Sequence, residues 1–293
     1  MKRASDAPPD EFVVHPPKHP GLHVFFSSVW CFRGHFSHRF ERGLPGGATQ
    51  LLINLDADRL SHYRDDGVLL TRTGGVAVAG IRCAPVILDT SEQRSVCGAV
   101  FSPTGASAYL GLPARFFANE LLDMTLVQSS GWRVARERLL DTVDVVERLN
   151  VLESILWECS SGASTYAPHI DLACRRIERG ESIADVRNEL GLSAHRLIGE
   201  FRTRVGLAPK RYGRLARFQR TLDRLKSRSS WAELAIDCGY SDQAHMIREF
   251  RMFSGLTPNA YQARSLLEKN HCPIDPEQFS SIREELPATP SGP

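Results

Sequence analysis

Leu234-Ala235-Ile236-Asp237-Cys238-Gly239-Tyr240-Ser241 belongs to a pattern that the chain contains twice. The earlier copy begins with Ile183-Ala184-Asp185 and continues with Leu190-Gly191-Leu192-Ser193. Gly191 recurs 48 positions later as Gly239, and four more residues recur 49 positions later: Phe201 as Phe250, Gly206 as Gly255, Pro209 as Pro258 and Tyr212 as Tyr261. Because a shared spacing across residues of mixed chemistry rarely arises by chance, the pattern predicts a duplicated structural unit.

Each copy has the signals of a helix-turn-helix unit. In the first copy, Ser182 precedes a short helix, Gly191 is expected in the turn, and Ser193 is expected to cap a second helix from Ala194 to Arg204. The second copy repeats these signals with Ser230 and Glu233 as a capping box, Gly239 in the turn, and either Ser241 or Asp242 as the cap. The N-terminal part of the second helix in such a unit enters the major groove of DNA, so the repeat predicts two recognition helices.

A long basic helix is expected between the two units. Pro209 suits its first turn, and the spacing of apolar residues extends it to about Lys226. At about 1.5 Å for each residue it would measure roughly 27 Å, and with the bodies of the two units this suits recognition helices about 34 Å apart, one turn of B-DNA. The helix carries basic side chains that would either neutralise phosphates or form a solvated face: Lys210, Arg211, Arg214, Arg217, Arg220, Arg224 and Lys226.

The charges of the chain are unevenly distributed. The net charge is +2, but residues 168 to 264 hold 18 Lys and Arg against 11 Asp and Glu, while the remainder holds 18 against 23. A basic region beside a mildly acidic one predicts that one part of the protein contacts a polyanion and the other does not.

The bulk composition is that of a globular protein. No apolar run approaches the roughly 18 residues that would span a bilayer, and the first residues lack the apolar stretch of a secretory signal. We therefore expect a cytoplasmic protein without membrane contact. The seven cysteines include no CxxC pair and are expected to be reduced thiols that pack as small apolar residues.

The first half of the chain has a different pattern of apolar and turn-forming residues. From Leu22 to about Phe101, short apolar runs alternate with Gly, Pro, Asp and Asn, which predicts an antiparallel barrel or sandwich. Helices are then expected at Gly105 to Leu110, Pro113 to Leu122 and Trp132 to Cys159. The apolar face of the last helix would either pack on the β-structure or form a dimer interface.

These patterns divide the chain into four expected segments. Residues 1–158 would form a sensor or dimerisation domain, whose first 20 or so residues are irregular. Residues 159–167, which are small and polar, would be a linker, 168–266 a DNA-binding domain, and 267–293 a flexible tail. The expected fold class is α+β in two domains, with an N-terminal antiparallel β barrel carrying helices and a C-terminal all-α domain containing two helix-turn-helix units.

The duplicated region resembles the C-terminal DNA-binding domain of the AraC/XylS family of transcription regulators. The resemblance covers about 100 of the 293 residues and is carried above all by Ile236-Asp237-Cys238-Gly239-Tyr240-Ser241-Asp242-Gln243, Phe250-Arg251, Gly255-Leu256-Thr257-Pro258 and Tyr261. It implies two helix-turn-helix units that read adjacent major grooves of double-stranded DNA, with RNA polymerase as a possible further partner. This sequence departs from the family at Gly199, where Arg is frequent, and Gly has no side chain with which to read a base.

Site residues follow from that resemblance by position. Base contacts are expected from His195, Ile198 and Gly199 in the first unit and from Gln243, Ala244, His245 and Arg248 in the second. Phosphate contacts are expected from a larger set: Ser193, Arg196, Arg202, Lys210, Arg211, Ser241 and Arg251. Because the first unit presents fewer polar side chains, we expect the second unit to read more of the DNA sequence.

The first half resembles the cupin-like sensor domain of a subset of these regulators, through Phe101-Ser102-Pro103-Thr104-Gly105-Ala106 and Leu110-Gly111-Leu112-Pro113. This implies a small-molecule effector or a homodimer interface. The alternative is a metal-dependent cupin-type enzyme with a DNA-binding appendage, for which His35, His38 and Glu41 would be the candidate ligands. On a strand, a spacing of three places His35 and His38 on opposite faces. We therefore expect no catalytic residue, metal or cofactor, and no enzymatic activity.

Overall fold

The computed structural model describes residues 10–127, 131–162, 166–225, 230–261 and 269–274. The first of these ranges contains nearly all the strands: β1 (Glu11–His15), β2 (Phe26–Arg33), β3 (Phe40–Gly43), β4 (Gln50–Asn54), β5 (Leu60–Tyr63), β6 (Leu69–Thr73), β7 (Val76–Ala79), β8 (Val86–Asp89), β9 (Ser95–Phe101) and β10 (Leu121–Asp123). A last strand, β11 (His271–Pro273), lies near the C-terminus. The α-helices are α1 (Gly105–Leu110), α2 (Met124–Val127), α3 (Gly131–Leu140), α4 (Val145–Glu158), α5 (Pro168–Glu178), α6 (Ile183–Glu189), α7 (Ala194–Arg204), α8 (Pro209–Arg224), α9 (Trp231–Asp237) and α10 (Gln243–Ser254).

The strands form two antiparallel sheets, and the predicted antiparallel barrel is not closed. One sheet has the order β1-β2-β9-β4-β7-β10 and the other has the order β11-β3-β8-β5-β6. Neither sheet closes on itself, because β1, β10, β11 and β6 end the sheets at open edges. The α+β class in two domains is confirmed, with a sheet-rich N-terminal domain followed by a helical C-terminal domain.

The single helix predicted from Trp132 to Cys159 is two helices. Four residues separate α3 from α4, and Asp144 begins α4 by accepting a hydrogen bond from the Glu147 N–H at 2.8 Å. The buried side of α4 packs on β2, while Val143 and Val146 are 71% and 52% exposed. Packing on the sheet is thus observed, and a role of the exposed residues in dimerisation stays a prediction.

Two other predictions failed because pairing with strands distant in sequence overrides local sequence signals. Within the lead-in expected to be irregular, Glu11–His15 pair with β2. In place of a helix from Pro113 to Leu122 there is one 3₁₀ turn, Ala114–Phe116, followed by β10, which pairs with β7. Asn119 lies between them at a φ of +66°, a left-handed conformation that a helix cannot contain.

The expectation of reduced cysteines is wrong for two of the seven. Cys31 and Cys97 form a disulfide. They face each other directly in the antiparallel register of β2 and β9, and both are fully buried. The sequence separation of 66 residues hides this pairing, because only the sheet register brings the two together. The other five cysteines are thiols.

The C-terminal segment returns to the N-terminal domain, which corrects the predicted flexible tail. β11 pairs with β3, and the Leu44 N–H donates to the Asn270 carbonyl at 2.7 Å. Cys272 and Ile274 are buried. The remaining residues of the predicted tail, 267–268 and 275–293, lie outside the described residues, as does part of the predicted linker, 163–165. The linker begins with a 3₁₀ turn, Cys159–Gly162, that continues directly from α4.

The two domains share one apolar cluster. Leu44, Ile81 and Cys83 of the first domain pack with the core of the helical domain, as does Cys272 of β11. Polar contacts join the same surfaces: the Thr104 N–H donates to Asp171 at 3.0 Å and Gln219 donates to the Pro45 carbonyl at 2.6 Å. Apolar packing and hydrogen bonds therefore both hold the helical domain against the N-terminal domain.

Among the described helices, none combines the length and the apolar character needed to cross a membrane.

Candidate DNA-binding surface

The two predicted turns have the same backbone geometry. Gly191 and Gly239 have φ values of +65° and +80°, a conformation that glycine adopts without the strain imposed by a Cβ. After Gly191, the Leu192 N–H donates to the Arg187 carbonyl at 3.2 Å, and after Gly239 the Tyr240 N–H donates to Ala235 at 2.9 Å. Each turn therefore ends its helix with a Schellman motif, and the duplication in sequence is a duplication in backbone.

Each recognition helix begins at a side-chain cap. Ser193 Oγ accepts the Arg196 N–H at 3.2 Å at the start of α7. Asp242 Oδ1 accepts the His245 N–H at 2.7 Å at the start of α10, so Asp242 rather than Ser241 is the cap. The bounds predicted for α7 are those observed. A fixed first turn matters here because the N-terminal residues of a recognition helix are the ones that reach base edges.

The first recognition helix presents the expected side to solvent. Leu197 and Phe201 are buried in the domain core. The predicted base-contacting residues His195, Ile198 and Gly199 are all exposed. A Cβ added to Gly199 would meet no heavy atom within 4 Å, so nothing in the packing requires glycine at this position.

The second recognition helix is similar except at one residue. Gln243, Ala244 and Arg248 are exposed, while Met246 and Phe250 on the opposite side are buried. His245 is half-buried, because its Nδ1 lies 3.0 Å from Ser241 Oγ and its ring packs edge-on against Tyr240. Its Nε2 also lies 3.6 Å from Glu249 Oε1. Gln243 and Arg248 are therefore more accessible to solvent than His245.

The residues predicted to contact phosphates all have exposed side chains: Ser193, Arg196, Arg202, Lys210, Arg211, Ser241 and Arg251. Five of them lie at the starts of α7, α8 and α10, whereas Arg202 and Arg251 lie in the last turns of α7 and α10. Arg211 differs from the others, since its charge acts on Cys83 of the N-terminal domain. Burial raises the pKa of the Cys83 thiol, and the charge of Arg211 opposes that rise.

Most of the arginines on α8 have partners inside the protein, which sequence reasoning missed. Arg214 and Arg217 bind the carboxylate of Glu249 on α10, at 2.5 and 2.7 Å. Burial acts to raise the pKa of Glu249, but the hydrogen bonds and charges of both arginines outweigh it and lower the pKa. Arg220 and Arg224 donate to backbone carbonyls at the ends of other helices. The sequence shows that the arginines of α8 are three or four residues apart. That spacing does not reveal whether their partners are groups of the protein or phosphates of DNA.

A cavity of about 460 Å³ lies between the two domains. One wall comes from the larger sheet and the loops at its end, including Phe26, Thr49 and Phe101. The other wall comes from the helical domain: Tyr166, Asp171, Arg175, Glu178, Val205 and Tyr212. Burial raises the pKa of Glu178, whose carboxylate accepts a hydrogen bond from the Tyr212 hydroxyl. An occupant of this cavity would touch both domains.

The histidines considered as metal ligands do not come together. The His35 N–H donates to Asp10 at 2.9 Å, whereas His38 lies 3.2 Å from Glu41. The other carboxylate oxygen of Glu41 lies 2.5 Å from Nδ1 of His271 on β11. Within the described ranges, no group of three or more His, Cys, Asp or Glu residues has an arrangement that could hold a metal ion.

Comparison with known protein families matches residues 170–264 to a helix-turn-helix domain. The C-terminal domain is an AraC-type helix-turn-helix domain. Residues 14–123 match a domain of unknown function (DUF6597), which covers the sheet-rich part that precedes the AraC-type domain. The proposed cupin-like character of that part is compatible with this match.

No curated protein matches the chain. Solved structures similar to it include ToxT from Vibrio cholerae O395 bound to (E)-4-(8-methylnaphthalen-1-yl)but-3-enoic acid, with 10% identity, a TM-score of 0.43, and coverage of 86% of this chain and 97% of that one. Another is unsaturated fatty acid-bound wild-type ToxT from Vibrio cholerae strain SCE256, with 12% identity, a TM-score of 0.39, and coverage of 84% and 93%.

Proposed function

We propose that the protein is a sequence-specific DNA-binding transcription regulator. The observation that carries the proposal is the pair of capped recognition helices, α7 and α10. Each is preceded by the same glycine turn, and each exposes side chains from its N-terminal half. Gln243 can pair with the N6/N7 edge of adenine and Arg248 with the O6/N7 edge of guanine. In this function the exposed cations near the starts of the helices hold the phosphate backbone, while α10 contributes most of the sequence reading.

We further propose that a small molecule or a second copy of the chain controls this binding through the N-terminal domain. The cavity between the domains supports the first possibility, because a bound molecule would contact Phe26 and Phe101 on one side and Tyr212 on the other. The exposed Val143 and Val146 support the second. Contact with RNA polymerase and a cytoplasmic location stay predictions, as does the absence of enzymatic activity.

The direct test is selection of bound sequences from random double-stranded DNA with the purified protein. Arg248→Ala should weaken binding to the selected site by about 1–3 kcal/mol and relax the preference at one base position. Arg179→Ala, which removes the same charge from the exposed end of α5, is the matched control. Arg248 would have no role in reading if its variant discriminated between the selected site and random DNA as well as the wild type does.

A second measurement addresses control by an effector. Thermal unfolding of the wild-type protein in a library of small molecules should reveal compounds that raise the midpoint, because binding to the folded state stabilises it. A compound of this kind should also change the affinity for the selected DNA. If compounds bind the protein but leave its DNA affinity unchanged, then the cavity does not control DNA binding by α7 and α10.

A further inference from the structure

The guanidinium of Arg220 lies where the two helix-turn-helix units approach each other. Its Nη1 donates to the Glu178 carbonyl at 2.6 Å and lies 3.3 Å from that of Ile177, at the end of α5. Its Nη2 lies 3.4 Å from the carbonyl of Cys238, the residue that ends α9. One side chain on the connecting helix α8 therefore contacts α9 of the second unit and also α5, which packs on α6 and α7 of the first unit.

The chemistry of these contacts suits arginine in particular. The last carbonyls of a helix have no partner within the helix and carry a partial negative charge. A guanidinium is planar and offers donors on more than one edge, so it can bind two such helix ends at once. Gly180 follows α5 at a φ of +97°, and a Cβ there would lie 3.5 Å from Nη2, so the chain turns closely over the guanidinium.

The neighbouring arginines make a different set of contacts. Arg217 donates to the Gly239 carbonyl at 3.0 Å and to Glu249 at 2.7 Å, and its guanidinium lies 4.5 Å from the centre of the Tyr240 ring. These partners all belong to the second unit. Arg217 therefore attaches α8 to the second unit, while Arg220 also reaches the first.

We propose that Arg220 is a positioning residue that holds the second unit in a fixed orientation to the first, and thereby sets the spacing between two half-sites in the target DNA. This inference rests on the proposed function. Inserting one base pair moves a half-site by about 3.4 Å and rotates it by about a tenth of a turn. Two recognition helices in fixed relation can follow only one such spacing, whereas loosely joined units can follow several.

The experiment uses the full-length protein and the DNA site selected by the wild type. The spacer between the half-sites is shortened or lengthened by one or two base pairs, and affinity is measured for each DNA. The affinity of the wild type should fall roughly 10- to 100-fold when the spacer changes by one base pair, a loss comparable to that of one or two base contacts. Arg220→Gln should lose no more than about threefold, less than the usual cost of one mismatched base pair.

Two further variants separate positioning from general damage. Arg220→Lys keeps the charge but carries its donors on a single nitrogen, so it cannot span both helix ends as a guanidinium does. Its loss of affinity on changing the spacer (the spacer penalty) should therefore fall between those of the wild type and Arg220→Gln. It also carries the test if Arg220→Gln does not fold, as judged by circular dichroism and thermal unfolding. Arg179→Gln removes a cation at the end of α5 and should keep the wild-type penalty.

A folded Arg220→Gln protein that keeps the wild-type penalty would overturn the inference, and so would a wild type that binds all spacers equally. In both cases the proposed function would still stand, because sequence-specific binding would have been observed. A wild type that selects no DNA sequence would instead refute the proposed function, and the inference with it.

Discussion

Replacement of Glu41 by glutamine tests whether the C-terminal strand is bound to the N-terminal domain by charge. Glu41 is 2% exposed on β3 and lies between His271 of β11 and His38, at 2.5 and 3.2 Å. Burial acts to raise its pKa, but the charges and hydrogen bonds of the two histidines more than compensate, and the pKa falls from 4.5 to about 2.

The expected size of the effect follows from that shift. One pKa unit corresponds to about 1.4 kcal/mol, so a fall from 4.5 to about 2 amounts to about 3 kcal/mol of folding free energy. Because the pKa is lower in the folded state, this stability is fully present above about pH 4.5 and is lost as the pH falls towards 2.

The assay is urea unfolding of the wild type and of Glu41→Gln between pH 2.5 and 6. Glutamine keeps the size and the acceptor oxygen but cannot ionise, so it should cost about 3 kcal/mol near pH 5 and progressively less at lower pH. Glu137→Gln, at an exposed position on α3, should show no such convergence. Parallel stability curves for the wild type and Glu41→Gln would refute an ionised Glu41 as the link between β3 and β11.

Three further predictions concern the DNA-binding domain. Neither Gly199 nor Gly239 has a heavy atom within 4 Å of an added Cβ. Gly239→Ala should nevertheless destabilise the protein by about 1–2 kcal/mol because its φ is +80°, whereas Gly199→Ala within a helix should stabilise it by up to about 1 kcal/mol. Equal shifts of the two thermal unfolding midpoints would contradict this. Asp242→Ala removes the cap of α10 and should cost about 1 kcal/mol, measured by urea unfolding, while Asp242→Ser should retain most of it. Lys210→Ala should lower the slope of log affinity against log salt by about 1 without changing the selected sequence, and an unchanged slope would exclude a phosphate contact there.

The elements that the sequence predicted well are those specified by local signals. The bounds of α7 and the turns at Gly191 and Gly239 depend on a serine cap, a glycine at positive φ and apolar residues three or four apart. Each signal acts within a few residues. They could therefore be recognised without knowledge of the rest of the fold, and the repeat made each unit evidence for the other.

The failures in the strands and in the disulfide have the opposite cause, which is dependence on partners distant in sequence. β10 and β11 are three-residue strands whose existence depends on pairing with β7 and β3. The Cys31–Cys97 disulfide depends on the register of β2 and β9. No local pattern encodes such pairings, and a short strand beside a helix-like run is easily mistaken for a helix or a tail.

The arginines of α8 show how far this limit extends into function. Counting cations predicted a helix that would either neutralise phosphates or present a solvated face. Instead, Arg214 and Arg217 are paired with Glu249, and Arg220 and Arg224 donate to helix ends. A guanidinium already bound to a carboxylate or carbonyl releases few counterions when DNA approaches. The electrostatic part of DNA affinity should therefore come from the exposed residues near the starts of α7, α8 and α10. We propose that Arg220 instead sets how the two reading helices are oriented to each other, because it contacts α5 and α9 together. The same excess of basic residues would then contribute separately to affinity and to geometry.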